Sequence, residues 1–207
     1  MKVCLISDTH GKEVWLDLPE GDILIHCGDF QITNLNDLEY ANRWFGRQNA
    51  KFKIFVPGNH DTGCEHFGKE MCKSLFTNVI YLQDEMVEIK GLRIYGSPFT
   101  PEFNRWSFMK ERRSKELKEI WAKIPNNLDF LISHGPPYQI LDKADSGEHC
   151  GCEILQREVF KKKPKYHCFG HIHGQYGQEI RHGVQFINCS LLNEDYKMVN
   201  KPVILEI

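Results

Sequence analysis

No stretch of this 207-residue sequence is long and apolar enough to suggest a membrane span. The first apolar run, Val3–Ser7, ends in a charged motif after about five residues, too short for a signal-peptide core or a bilayer crossing. Neither end carries a lipidation signal. Excess charge is also missing. The net charge of −2 leaves no global positive field for long nucleic acid. Repeats, low-complexity tracts and linker-like shifts are absent, so one domain over residues 1–207 is expected. The eight cysteines include no zinc-knuckle or thioredoxin-type spacing, because Cys150-Gly-Cys152 places a single residue between its thiols. Free thiols and a cytoplasmic location are therefore expected, with Cys4, Cys27 and Cys168 acting as small buried hydrophobes.

What is present is an ordinary globular balance of 41% hydrophobic and 26% charged residues. Short apolar runs closed by Gly, Pro or polar clusters predict strands at Val3–Ser7, Ile23–Cys27, Phe52–Val56, Asp129–Ser133 and Tyr166–Phe169. Further strands are predicted at Val79–Leu82, Met86–Ile89, Leu92–Tyr95, Val184–Ile187 and Val203–Glu206, with Lys90-Gly91 as a hairpin turn. Helical spacing covers Leu35–Gln48, Glu65–Leu75 (through Phe67, Met71 and Leu75) and Lys110–Ile124, and another helix follows Gly151. Together these predict an α/β domain with two mixed sheets packed between helices.

Five motifs fall where an apolar run breaks into a turn. They are Asp8-Thr-His10, Gly28-Asp29, Gly58-Asn59-His60-Asp61, Ser133-His134-Gly135 and Gly170-His171-Ile-His173. They hold two aspartates, one asparagine and four histidines able to ligate metal, and a spare histidine, His60. Such an N/O donor set suits two hard or borderline divalent ions, and paired ions point to attack on a phosphate ester. Because α/β sheets gather function at the carboxyl ends of strands, motifs far apart in sequence can meet there. Asp8 and His10, two apart at a strand end, face one side and can clasp one ion. His171 and His173 stand in the same relation, although a loop also lets them serve different ions.

The order D-x-H, GD, GNHD, H and GHxH resembles the calcineurin-like metallophosphoesterase superfamily. The run from Gly96-Ser-Pro-Phe99 through Trp106 to Phe108 is similar to a signature of the small metallophosphoesterase-domain (239-antigen-like) class III phosphodiesterases. Ser133-His-Gly-Pro-Pro137, Gly151-Cys152 and Gln185-Phe-Ile-Asn188-Cys-Ser190 resemble the same subfamily, and the similarity runs over nearly the whole chain. It implies a four-layer α/β/β/α sandwich of two mixed sheets flanked by helices. Asp8, His10 and His173 would hold one metal, Asn59, His134 and His171 a second, and Asp29 both. Mn²⁺ is the expected ion, with Fe or Zn²⁺ also compatible with these donors. Some members of the subfamily lack the first histidine of GHxH. Its presence here as His171 favours a complete second site.

The resemblance further implies in-line attack on phosphorus by a hydroxide held between the ions, with His60 as general acid. Asp61 would either fix the tautomer of His60 or cap the following helix. The expected substrate is a small phosphodiester or nucleotide, 2′,3′-cyclic nucleotides among them. Alternatives are a phosphomonoesterase or nuclease on the same core, or a nucleotide-binding regulator without turnover. Phe99, Phe103, Trp106 and Phe108 are read either as a face for a nucleobase or as core packing. The segment Pro136–Cys150 is either a lid or a solvated loop. Lys161–Lys165 ends a helix. His26, His66, His149, His167 and His182 are expected to be structural or exposed.

Overall fold

Strand β1 (Lys2–Ile6) sets the layering in miniature. Alternate side chains of a strand point to opposite faces, and here both faces are buried. Val3 and Leu5 enter the apolar layer between two sheets, whereas Cys4 and Ile6 enter a second layer beneath helices. The computed structural model describes all of residues 1–207. Its first sheet runs β13-β1-β2-β3-β4, with β2 at Gly21–His26, β3 at Ala50–Phe55, β4 at Ile80–Tyr81 and β13 at Val203–Glu206. Neighbours in it are parallel except for β13 against β1.

The second sheet runs β11-β12-β10-β9-β6-β5. Its strands are β5 (Glu85–Ile89), β6 (Leu92–Ser97), β9 (Phe130–Ser133), β10 (Tyr166–Phe169), β11 (Gly177–Arg181) and β12 (Val184–Asn188). A small parallel pair, β7 (Thr100–Pro101) and β8 (Met109–Lys110), stands apart. Helices α1 (Leu35–Gly46), α2 (Thr62–Phe67) and α3 (Lys69–Leu75) cover the first sheet through Leu38, Ala41, Phe45 and Cys72. Helices α4 (Lys115–Ala122) and α5 (Glu153–Lys162) cover the second through Leu117, Trp121, Leu155 and Val159. Three apolar layers thus separate four structural ones, the expected α/β/β/α sandwich. No helix is long and apolar enough to cross a membrane.

Several expectations are corrected. The single helix predicted over Glu65–Leu75 is two, broken at Gly68, whose φ of +80° cannot continue a helix. The break resets the phase, so Cys64 and Cys72 are buried while Met71 is exposed. The helix predicted from Lys110 starts only at Lys115, where Ser114 caps it by accepting from the Leu117 amide. Strand β11 escaped the sequence reading because it is a polar sheet edge. Its signal was the His182-Gly183 turn, with positive φ at both residues as at Lys90-Gly91.

At the carboxyl ends of β1 and β10 the two sheets nearly touch. A Cβ on Gly170 would lie 2.0 Å from Asp8 Oδ2 and 2.2 Å from Ser7 Oγ. Only a bare backbone fits there. Gly170→Ala is expected to destabilise the protein by about 1–3 kcal/mol through overpacking. That corresponds to a fall in Tm of about 2–4 °C per kcal/mol for a domain of this size. Thermal denaturation followed by circular dichroism checks it, and an unchanged Tm would show that the ends can part freely.

Candidate metal centre

All five motifs lie just past the carboxyl ends of β1, β2, β3, β9 and β10, which are parallel neighbours within their two sheets. The loop after β1 follows the loop after β2: the amides of Asp8, His10 and Gly11 donate to the carbonyls of Gly28, Asp29 and Phe30. Four of the candidate residues adopt left-handed backbone, Asp8 at φ 55°, His10 at 44°, Asp29 at 59° and His171 at 70°. Each such non-glycine residue costs about 1–3 kcal/mol and persists only where its surroundings dictate it.

The motif side chains form three overlapping groups with ligand atoms within 4.8 Å of one another: Asp8/His10/His173, Asp29/His134/His171 and His10/Asp29/His60. The first matches the expected first-metal set. The second matches the other, and Asn59 joins it, its Oδ1 2.9 Å from His134 Nε2. Asp29 stands between them. Its Oδ2 is 3.5 Å from His10 Nε2 and its Oδ1 is 3.4 Å from His134 Nε2. One carboxylate therefore turns an oxygen to each group.

The tautomers show what the cluster is built to hold. His134 Nδ1 faces the Cys27 carbonyl at 2.9 Å, His173 Nδ1 the Asn193 carbonyl at 3.2 Å and His10 Nδ1 the Gln31 Oε1 at 3.2 Å. These oxygens only accept, so each Nδ1 carries the proton and each neutral ring turns a lone pair out at Nε2. Those lone pairs meet more acceptors: Asp29 for His134 and His10, and Asp8 for His173 at 3.5 Å. His10 Nε2 is buried with no hydrogen-bond partner. Lone pairs facing carboxylate oxygens call for a cation, and imidazoles fixed through the second nitrogen are the usual preparation for a metal. The donor set fits divalent ions.

Without an ion, protons substitute. Burial disfavours charge on His134, yet Asp29 and Asp8 outweigh it and raise its pKa to about 9. Burial likewise opposes ionisation of Asp8, but His173 and His134 hold it well below the usual carboxylate range. Asp29 is held low in the same way, by His134 and His10 against its own burial. His171 is instead pushed down to about 3 by burial and by the charge on His134.

Asp61 behaves differently from expectation. It neither orients His60 nor caps α2, where no side-chain cap bond exists. Its Oδ2 accepts from the amides of Asp29 at 2.9 Å, Gly58 at 2.8 Å and Phe30 at 3.4 Å. Its Oδ1 accepts from Gln31 and Ile32, both at 2.9 Å. Burial and the charge on Asp29 push its pKa up to about 7. Protonation would nevertheless break amide bonds to both flanking loops. Asp61 is thus a positioning residue for Asp29, and the local pairing suggested by its sequence neighbours was misleading.

His60 donates its backbone amide to Asp29 Oδ1 at 2.8 Å, and its ring lies against Trp106 at 4.2 Å. Burial lowers its pKa, opposed by Asp29. The aromatic segment divides. Phe108 is buried and Phe99 packs beside it, whereas Phe103 lies 5.4 Å from the His171 ring. Phe103 and Trp106 are exposed at 57% and 42%, enough surface to meet a ligand. Of the remaining histidines, buried His26 and His167 bond Thr9 and Ser133 and are both held near 3 by burial. Sequence reasoning missed Tyr196, whose ring sits 4.9 Å from His10 and 5.1 Å from His173. It also missed the carbonyl of Asn193 that fixes His173. Both lie in a polar turn after β12 that carries no motif.

The chain matches the calcineurin-like phosphoesterase family profile over residues 1–175. It is 36% identical to the Homo sapiens protein "Metallophosphoesterase domain-containing protein 1" over 99% of this chain and 70% of that one. A Caenorhabditis elegans UPF0046 protein, C25E10.12, is 37% identical, over 99% and 80% of the two chains. Among solved structures, phosphopantetheinyl hydrolase from Mycobacterium tuberculosis superposes with a TM-score of 0.66, 17% identity, and 94% and 90% coverage. At that identity the likeness concerns the fold alone.

Asp61→Asn places an amide donor among backbone donors. It is expected to weaken Mn²⁺ binding by about 10–100-fold, the usual effect of losing an outer-shell partner. Titration calorimetry measures this, and wild-type affinity would remove Asp61 from the positioning role. The metal-free protein should also respond to pH. His134 has a raised pKa, so its contribution to stability is complete below its ordinary value of 6.5 and is lost as pH rises through about 9. Metal-free Tm is expected to fall across that window while the Mn²⁺-induced rise in Tm grows, because protons no longer compete. A flat metal-free profile would contradict this.

Proposed function

The chain belongs to the calcineurin-like phosphoesterase family and is a metal-dependent phosphoesterase; from that premise we propose that it hydrolyses small phosphodiesters, 2′,3′-cyclic nucleotides among them, at two divalent ions. Asp8, His10 and His173 would hold one ion and Asn59, His134 and His171 the other, with Asp29 serving both. Mn²⁺ suits these donors. When bound, the ions supply Lewis acidity that activates water and neutralises phosphoryl charge.

The observation that carries the preference for a diester is the charge of the pocket over these ligands. It holds about 260 Å³ and ten residues line it, with no lysine or arginine among them and with Glu194 included. A monoester bears about −1.5 to −2 charges at neutral pH, and beyond the ions themselves no lysine or arginine on the lining adds to their attraction for it. A diester bears one negative charge and two substituents. Phe103, Trp106 and Tyr196 on the same lining offer those substituents apolar faces.

His60 lines this pocket with Trp106 against its ring. It would pass a proton, or a hydrogen bond, to the departing alkoxide oxygen. Asp29 holds the His60 backbone, so ligand and acid share one support. The overall charge of −2 disfavours long nucleic acid as substrate. Eight free cysteines suit a reducing compartment, and a cytoplasmic location forms part of the proposal.

The Mn²⁺-loaded enzyme is expected to turn over bis-p-nitrophenyl phosphate with a higher kcat/KM than p-nitrophenyl phosphate. The reverse order would make it a monoesterase, and efficient cleavage of RNA a nuclease. His60→Ala should lower diester kcat by about 10²–10⁴-fold while Mn²⁺ content by mass spectrometry stays near wild type. Loss of metal in that variant would move His60 into the ligand set.

A further inference from the structure

The pocket over the metal ligands carries a carboxylate that neither ion binding nor proton transfer uses. Glu194 Oε1 accepts from the Gly174 amide at 2.7 Å, which ties it to the residue after His173. Its other oxygen takes no hydrogen bond from the protein. Two lysines approach the same turn, and both are engaged. Lys12 bonds the Tyr196 carbonyl, and Lys197 pairs with Asp195 at 3.3 Å. Neither lines the pocket.

The rings of that lining keep free surface, Tyr196 being 44% exposed. The His10 ring lies 4.8 Å from that of His60 and 4.9 Å from that of Tyr196. The rings therefore run in the order Trp106, His60, His10, Tyr196, with Trp106 on the acid side and Tyr196 and Glu194 on the ligand side. A ring face attracts a cation within about 6 Å of its centroid, and quaternary ammonium groups are recognised in this way. A carboxylate beside the ring adds an attraction that a neutral substituent cannot use.

A cleft of about 800 Å³ adjoins this pocket, and the two share Phe103 and His171 in their common wall. Its far wall, the segment from Pro136 to Gly151, is fixed in place. Buried Asp142 accepts there from the amides of Gln139 at 2.9 Å and Gly151 at 3.0 Å. Arg112 donates to the carbonyls of Cys150 and Gly151, both at 2.9 Å. The cleft thus contains a guanidinium in its lining, whereas the smaller pocket has a carboxylate and no lysine or arginine.

We infer that Tyr196 and Glu194 bind an alkylammonium group on the retained substituent, so that the diesters accepted here include esters of amino alcohols of the choline type. The inference rests on the diester reading and names a substituent class which that reading leaves open. Such a diester is a zwitterion. Its phosphate faces the metal ligands and its nitrogen faces Glu194.

The p-nitrophenyl ester of phosphorylcholine and 3,3-dimethylbutyl p-nitrophenyl phosphate share a leaving group and a shape, and differ by one positive charge. With Mn²⁺-loaded wild type, kcat/KM for the choline ester is expected to exceed that for the neutral analogue about tenfold. Glu194→Gln keeps an oxygen for the Gly174 amide and removes only the charge. It should lower the ratio about threefold or more. Tyr196→Leu, which keeps apolar bulk without a ring face, should lower it as well. A ratio near one in wild type, or a ratio unchanged in Glu194→Gln, overturns the assignment. If neither ester is turned over, the diester reading fails by itself. The site is then measured by calorimetric binding of phosphorylcholine and of 3,3-dimethylbutyl phosphate to the Mn²⁺-loaded protein. Tighter binding of phosphorylcholine that is lost in Glu194→Gln upholds the ammonium site, and equal binding of the two overturns it.

Discussion

Five backbone amides converging on one carboxylate, that of Asp61, hold the centre of this molecule in shape. They come from the loop after β2 and from the start of the loop after β3, so a single buried carboxyl group ties two strand ends together. That tie offsets the left-handed backbone of Asp29. With Asp29 fixed, its two oxygens address two clusters of histidine, and its acceptance of the His60 amide sets the neighbouring ring. A carboxyl group this deeply buried is tolerated because so many N–H groups replace its water. The candidate metal ligands are thus held in place by the protein's own hydrogen bonds.

Much of this was legible in the sequence, for a physical reason. Strands buried on both faces are almost continuously apolar, so a polar motif at the end of one stands out, and all seven metal-ligand candidates were found that way. The layered architecture followed from the same runs. What stayed hidden depends on long-range partners or on irregular backbone. Asp61 is adjacent to His60 and to α2, yet four of its five amide partners lie 29–32 positions earlier, where no local pattern points. Phe99, Phe103, Trp106 and Phe108 occupy a stretch without regular period, so spacing could not tell that two turn inward and two outward. Tyr196 follows no strand and sits in a turn that reads as an ordinary polar loop.

The two pockets differ in their linings. The smaller one has a lining without lysine or arginine. The larger one has a wall held by Asp142 and Arg112. Phe103 and His171 separate them. A change in either residue would therefore reshape both pockets.

The close approach of the two sheets at Gly170 has a mechanical side as well. Asp8, His10, Asp29 and Asn59 belong to the first sheet, and His134, His171 and His173 to the second. Ions held as proposed would cross-link the sheets at one rim of the sandwich, as a rivet joins two plates. A ligand present at a thousand times its dissociation constant adds about 4 kcal/mol to folding stability. That is a large share of the roughly 5–15 kcal/mol typical of a domain. The persistence of the folded chain would then track metal supply, and starvation for metal would be felt as turnover of the protein itself as well as loss of its chemistry.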